Sequence, residues 1–505
     1  MDSADSAVAK PRRVQVVRFR PQLAIGDDYP GVGMRPTSRT VVSPALPTKK
    51  HWMALSNLDR VVNPTFSSAI LFYTHLLDSK QFKDIVGALK ESLANALVHF
   101  YPLAGRLALE DDGLVQIHCN DEGAVFIEAV VDAELSEVGG PRPMPALSGL
   151  EIAGLGKGPR YIPDQITSMP TLVVQVTKFK CGTVAIAANW HHTVADGSSG
   201  CHFLKSWAEI GAGRQLSLRP NHDRFLLKPR EIPDTSLVTG YSTGEIDNKP
   251  LTTSELTRYQ KLLSEPAVLE SFKVKKIILQ ELKEKFKMEG DEGGYFTTAE
   301  LISAHLWRQM TKARAELNER AADNESDDGP ESKRESPTYT RFFIFVDGRK
   351  KLNLPGGYFG NVVCSACAVA TEDEILNNSL AHAASLIRKA TRSISGEYFR
   401  SLIDWVEAQG SSSAKSKSSH LLSIGRDLAA TFWTYFGLYE MDFGWGRPAH
   451  AARNSPARPL IDGIAMLPSS EGPSEGMVAL LNLHADRMNR LRRQRSFTEV
   501  YSPLC

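Results

Sequence analysis

The chain has 505 residues, 42% hydrophobic and 23% charged, which is too long for one compact core and fits two domains of about 200–250 residues each. Its charges nearly cancel, 59 basic against 58 acidic residues, so no global field favours nucleic acid or a membrane surface. No run approaches the roughly 18 apolar residues of a membrane span, and the N-terminal stretch MDSADSAVAKPRRVQVV lacks the apolar segment of a secretory signal.

The C-terminal SPLC matches neither a prenylation box nor a peroxisomal address. With six scattered cysteines, this points to a protein of the reducing cytosol.

Residues 82–98 place Phe82, Ile85, Val86, Leu89, Leu93 and Leu97 at helical spacing, and Pro102 stops the pattern. Short strand-like stretches follow in GLVQIHCN and GAVFIEAVV. The runs TLVVQVTKF and TVAIAANW read as a hairpin joined at Cys181-Gly182. WHHTVADG comes next, after which Ser198 or Ser199 can cap a helix with Phe203, Leu204, Trp207 and Ile210 on its apolar face. Residues 211–255 lose periodicity and gain Pro, Asp, Ser and Thr, as a crossover between domains does.

In the second half, Lys273, Lys275 and Lys276 belong to FKVKKIILQELKEKFK, which reads as a mixed-charge solvated helix face or as a set of phosphate contacts. Thr297 and Glu300 have capping-box spacing ahead of a helix through ELISAHLWRQMTKAR. Residues 317–337 are charged and apolar-poor, a solvated insertion. Cys364 and Cys367 lie in the small-residue run NVVCSACAVA, which reads as a buried strand rather than a zinc or redox pair. Residues 411–419, SSSAKSKSS, form a low-complexity loop.

The segment WHHTVADG, residues 190–197, has the chemistry of a site. His192 sits where a strand ends and a helix begins, a place from which side chains are presented. An imidazole with an ordinary pKa of about 6.5 can take a proton from a nucleophile near neutrality and return it. Asp196 can hydrogen-bond the imidazole or brace the loop against a distant arginine, and Gly197 permits a tight bend. Taken alone, H-x-x-x-D reads first as a hydrogen-bonded histidine in a turn. Adjacent His191 and His192, with no H-E-x-x-H and no second cysteine pair, do not make a metal site.

A second motif, DFGWG at 442–446, follows H-x-x-x-D-G in the order found in the plant BAHD acyltransferases, and the chain resembles that family. LSNLD (55–59), FYPLAGRL (100–107), AHLWR (304–308), VDGRKKL (346–352) and GYFGN (357–361) extend the resemblance over nearly the whole length. It implies two similar α/β domains related to chloramphenicol acetyltransferase, with a solvent channel between them. The expected layout is an N-terminal domain over 1–210, to which about 443–468 returns, a crossover over 211–255, and a C-terminal domain over 256–505.

The resemblance further implies that His192 is the general base, deprotonating a hydroxyl or amine acceptor that attacks an acyl-CoA thioester directly, with no acyl-enzyme. The absence of a G-x-S-x-G elbow agrees with that. Asp196 and Gly197 are carried over in structural roles, Asp196 pairing with Arg349; His191 is not part of the motif and is expected to pack or hydrogen-bond at the channel wall. Asp442, Phe443, Gly444, Trp445 and Gly446 would shape the CoA side, away from the reaction centre. Trp433 and Thr431 match positions that face the reacting carbonyl and the acceptor, whereas Phe432, Phe436 and Tyr439 are core.

The implied partners are an acyl-CoA co-substrate and a small-molecule acceptor. No cofactor, metal, nucleic acid or membrane insertion is expected of this chain, which would act as a monomer. LSNLD, GYFGNVV and DRFLL (223–227) resemble the hydroxycinnamoyl-CoA branch. Shikimate-using members carry an arginine upstream of a Thr-Ser-Trp element. That place here offers only Lys415 and Lys417, and Phe432 replaces the middle Ser. The acceptor is therefore left open among shikimate- or quinate-like hydroxyls, aliphatic alcohols, ω-hydroxy acids and polyamines. A thioesterase or a non-catalytic ligand-binding relative on the same fold is the competing class.

Overall fold

The structure, a computed structural model, describes residues 33–503 apart from 63, 75, 79–80, 110–114, 142–146, 148–168, 239–266, 287–294, 324–337, 410–426, 454–461 and 473–474. The Ser/Lys stretch 411–419 lies outside the described residues.

The N-terminal half runs β1 (Met34–Val42), β2 (His51–Ala54), α1 (Asn57–Arg60), β3 (Phe66–Tyr73), α2 (Phe82–His99), β4 (Arg106–Leu109), β5 (Val115–Cys119), β6 (Ala124–Val131), β7 (Met169–Pro170), β8 (Leu172–Phe179), β9 (Val184–His191) and α3 (Gly197–Gly211). The helical spacing read at 82–98 is α2, and the hairpin is β8–β9, turned at Gly182 with φ +81°. Every residue of β9 is buried, as suits an inner strand of a covered sheet.

The C-terminal half continues with β10 (Ala267–Lys275), α4 (Lys276–Lys285), α5 (Thr298–Asp323), β11 (Tyr339–Asp347), β12 (Val363–Thr371), α6 (Glu372–Asn377), α7 (Leu380–Ser393), α8 (Gly396–Ala408), β13 (Asp427–Phe432), β14 (His450–Ala452), β15 (Asp462–Pro468), β16 (Gly476–His484), α9 (Ala485–Arg493), α10 (Arg495–Thr498) and β17 (Tyr501–Pro503). The described strands form a six-stranded sheet β1-β6-β8-β9-β3-β14, a seven-stranded sheet β12-β11-β13-β15-β16-β10-β17, and a small sheet β2-β5-β4-β7. The two large sheets are open, and helices pack against them, giving a mixed α/β protein of two units.

Each large sheet has its own core, around Trp190, Phe203 and Trp207 in the first and Trp307, Phe342 and Leu481 in the second. Burying each such side chain contributes roughly 1.5–3 kcal/mol. A third cluster joins the halves, since Leu58, Leu227, Tyr358 and Phe399 pack together although they come from four separate segments.

Several sequence expectations are corrected. Helix α5 does not stop before the charged insertion at 317–337 but runs to Asp323, because Leu317, Glu319, Arg320, Ala321 and Ala322 are good helix formers. The Cys364–Cys367 run is an edge strand, β12, with one covered face rather than a fully buried strand. Residues three apart on a strand point to opposite faces, so Cys364 is buried, Cys367 is exposed, and the two cannot close on one metal. Lys273 and Lys275 belong to strand β10, not to a helix, and Lys273 is paired with Glu471. Of the stretch 443–468, β14 pairs with β3 in the first sheet, while β15 lies in the second between β13 and β16. Thr297 and Glu300 do form the capping box, with Thr297 N donating to Glu300 Oε2 at 2.7 Å.

Candidate active site

His192 emerges from the end of β9. Its backbone N–H donates to Thr65 O at 2.7 Å, tying it to the start of β3, and a turn through Val194 leads into α3. The N-cap of α3 is Asp196, not Ser198 or Ser199: its carboxylate accepts from Ser199 N at 2.9 Å. A carboxylate also suits the positive end of the helix dipole. Gly197 is the first helical residue, and its φ is not left-handed. A Cβ there would come within 3.0 Å of Phe436 and 3.2 Å of Trp433, so close approach rather than a tight bend calls for glycine.

The Asp196 carboxylate is buried and faces Arg349. Arg349 Nη1 donates to Asp196 Oδ2 at 2.8 Å and Nη2 to Oδ1 at 2.9 Å, while Val362 N donates to Oδ2 at 3.0 Å. Burial alone would raise this carboxyl, but Arg349 and the hydrogen bonds from Ser199 and Val362 hold it below the usual carboxylate value. Asp196 thus braces the loop.

The group that touches the imidazole is one the sequence reading did not assign. Asn361, in GYFGN, places Oδ1 3.1 Å from His192 Nδ1. Its Nδ2 donates to His192 O and to Asp59 Oδ1, each at 2.8 Å, so the oxygen is the atom left for the ring. Nδ1 is therefore the protonated nitrogen, and Nε2 carries the lone pair.

Asp59, from LSNLD, is held in turn. It closes a capping box with Ser56 on α1, accepts Asn361 N at 2.8 Å, and lies 2.9 Å from Arg224 Nε. Arg224, from DRFLL, donates to Phe359 O and to Val194 O, and so links GYFGN to the histidine turn. At Gly360 a Cβ would run into the Arg224 guanidinium, so a larger residue there would push Arg224 off its partners.

Burial pulls the His192 imidazole below its ordinary value; Asp196 and Asn361 act the other way, and Arg453 adds to the lowering. His192 is thus neutral and able to accept a proton at neutral pH. His191 points elsewhere. Fully buried, it packs edge-on against Phe66, accepts Thr193 N at 3.3 Å, and is pushed down to about 3 by burial and by His192.

Trp433 directly follows β13. Its indole stacks on Trp190 with ring centroids 6.1 Å apart and lies against Gly197, beside the start of α3. Thr431 is two residues earlier on the same strand, half-buried and opposite Ala465. Phe432 and Phe436 are partly buried against the two main cores, and Tyr439 accepts Ala451 N at 3.2 Å.

DFGWG lies at the other end of α3, about 20 Å along a 15-residue helix from Asp196. Asp442 Oδ1 accepts Gly444 N at 2.8 Å and Gly446 N at 2.9 Å, in a turn where both glycines have positive φ. Phe443 is buried between Tyr73, Trp207 and Trp445. The motif pins the second unit to the first, and it contributes no group to His192.

This geometry agrees with what the chain is similar to. The match to the Transferase family spans residues 34–498. The chain belongs to the BAHD family of acyl-CoA-dependent acyltransferases. Among its relatives, a hydroxycinnamoyltransferase of Narcissus pseudonarcissus is 33% identical over 463 residues, covering 90% of this chain and 97% of that protein. The shikimate O-hydroxycinnamoyltransferase of Nicotiana tabacum is 32% identical over 451 residues, 88% of this chain and 96% of that protein. In fold, vinorine synthase superposes with a TM-score of 0.62 at 22% identity, covering 90% of this chain and 96% of that one. His192 and Asp196, Asp59 of LSNLD, Arg224 of DRFLL, Arg349 of VDGRKKL and Asn361 of GYFGN, far apart in sequence, meet in one hydrogen-bonded network, whereas DFGWG lies outside it. No helix among the described residues is long and apolar enough to cross a membrane.

Proposed function

We propose that this BAHD enzyme transfers a hydroxycinnamoyl group from its CoA thioester to a hydroxyl or amine acceptor, with His192 as general base in a ternary complex. The observation that carries the reading is the Asn361 Oδ1 to His192 Nδ1 contact, which leaves Nε2 as the free proton acceptor on a neutral, half-buried ring. The acceptor's O–H or N–H gives its proton to Nε2, its oxygen or nitrogen bonds to the thioester carbon, and the imidazolium returns the proton to the departing CoA thiolate. The Trp433 indole and Thr431 hydroxyl serve the oxyanion and acceptor side, and the DFGWG turn shapes the CoA side. No metal or cofactor enters these steps.

The hydroxycinnamoyl donor is supported by the names of the Narcissus and tobacco relatives, the second of which also names shikimate as its acceptor. The test is an assay of p-coumaroyl-CoA with shikimate, quinate, spermidine and a long-chain ω-hydroxy acid, each alone. Ester or amide product with one of them is the expected result. Release of free CoA at the same rate without any acceptor would make the protein a thioesterase instead.

A further inference from the structure

Among the described residues around His192 the fixed charges are matched in pairs, with one exception. Asp59 lies on Arg224, and Asp196 on Arg349, which also holds Asp347. Arg453, which directly follows β14, has no carboxylate partner among the described residues. Its guanidinium stands over the Trp433 indole, 5.1 Å from the ring centroid, and its Nε is shut off from solvent with no hydrogen-bond partner. Its charge reaches both His192 and Cys201, a buried thiol that carries no compensating charge of its own.

An arginine left in this state beside a reaction centre is a binding group awaiting an anion. The aromatic face offsets only part of its lost hydration, whereas a carboxylate matches the planar donor fork in two parallel hydrogen bonds. Trp433 fixes where that fork lies: the guanidinium stands over the indole, and the indole itself packs against Gly197 at the start of α3. Neither half of a hydroxycinnamoyl-CoA supplies the anion there: the acyl group is uncharged, and the CoA phosphates are a whole pantetheine arm away from the thioester. The remaining molecule in the ternary complex is the acceptor.

We propose that Arg453 is the specificity residue for a carboxylate on the acyl acceptor, which makes hydroxy or amino acids, rather than neutral alcohols or polyamines, the acceptor class. This rests on the acyltransferase reading of the His192 site. Arg453 holds no place in the family motifs quoted above.

The experiment compares shikimate and a long-chain ω-hydroxy acid with their methyl esters, using p-coumaroyl-CoA and the wild type, Arg453→Gln and Arg453→Lys. The wild type should favour at least one acid over its ester by about 10- to 100-fold in kcat/KM, as expected for charge-assisted hydrogen bonds. Arg453→Gln should lose that preference through a raised KM for the acid, with a smaller change for the ester than for the acid, and Arg453→Lys should recover part of it. Thermal unfolding of each variant separates this from a folding defect, because loss of a purely structural arginine slows acid and ester alike and lowers Tm. Calorimetric binding of acid and ester to each protein needs no turnover. Acid-selective binding that vanishes in Arg453→Gln therefore upholds the carboxylate site even where transfer fails and the acyltransferase reading falls. The proposal is overturned if the wild type does not distinguish acid from ester in either transfer or binding, or if Arg453→Gln keeps the distinction. It is also overturned if the variant changes only the preference between malonyl-CoA and acetyl-CoA, which would place the carboxylate on the donor.

Discussion

Arg349 grips the Asp196 carboxylate with both terminal nitrogens, at 2.8 and 2.9 Å, across 153 residues of sequence. The same guanidinium donates to Gly360 O at 2.8 Å and to Ser199 Oγ at 2.9 Å, so one ion pair fastens the start of α3 to the GYFGN segment. Breaking it leaves a buried charge uncompensated, which costs about 3–5 kcal/mol. Asp196→Asn and Arg349→Met should each lower stability toward that range, and the double variant should cost about 0.5–3 kcal/mol less than the sum. Strict additivity in urea unfolding would remove the coupling. Because the folded Asp196 carboxyl lies below its ordinary value, this stabilisation is complete above the unfolded pKa of about 3.9 and is lost as pH falls through the lower folded value.

Asn361 and His192 should separate kinetically. His192→Ala removes the proton acceptor and is expected to reduce the rate by about 10²–10⁴ with the fold intact. Asn361→Ala leaves the base but frees the ring to take the wrong tautomer or rotate, so kcat should fall while the acyl-CoA KM stays near normal. With the His192 pKa lowered by burial, kcat/KM in the wild type should be flat through neutrality and decline only below about 6.5, as the base becomes protonated. An acidic limb centred above pH 7 would contradict the half-buried, neutral imidazole.

His191 gives a stability prediction of its own. Its folded value of about 3 lies far below the unfolded 6.5, so the unfolded chain binds the extra proton between those values. Its contribution is whole above pH 6.5 and drains away as pH falls toward 3. His191→Asn, whose Oδ1 can accept Thr193 N in place of Nδ1, should retain catalysis and show a shallower loss of stability over that window. A variant that loses turnover while folded would give His191 a part in the chemistry.

How far the sequence spoke depended on the range of each interaction. Apolar periodicity located α2 and α3, and alternation with a turn signal located β8 and β9, because those patterns are written in neighbouring residues. The cap of α3 is ambiguous in sequence, since Ser198, Ser199 and Asp196 are all competent caps and only the fold shows which one lies outside the first turn. Asp196 and Arg349 were found by motif, and their pairing lies in the structure as expected. Asn361, Asp59 and Arg224 were quoted inside GYFGN, LSNLD and DRFLL without roles. Their partners lie 169, 302 and 135 residues away, and no local pattern marks such contacts. Arg453 carried no signal at all, for what sets it apart is the lack of a counter-charge among the described residues, which sequence does not display.

The order of substrate binding tests the proposed mechanism most directly. Direct attack by an acceptor deprotonated at Nε2 requires both substrates in the site at once, so double-reciprocal plots should intersect. A relay through a thiol would give parallel lines and a burst of CoA instead. The described cysteines are poorly suited to such a relay. Cys201, in the first turns of α3, is a buried thiol pushed up by its burial, and burial likewise raises Cys119 and Cys364 to about 12. Cys181 is the exception: hydrogen bonds from Thr183 and the adjoining backbone outweigh its burial and lower it. It lies at the β8–β9 turn, the far end of an eight-residue strand from His192, roughly 25 Å away at about 3.3 Å per residue. Incubation with hydroxycinnamoyl-CoA alone should therefore leave the intact mass unchanged over many turnover times. An acyl adduct that forms and discharges at the rate of turnover would overturn the His192 mechanism, and its site, mapped by peptide mass, would name the nucleophile that replaces it.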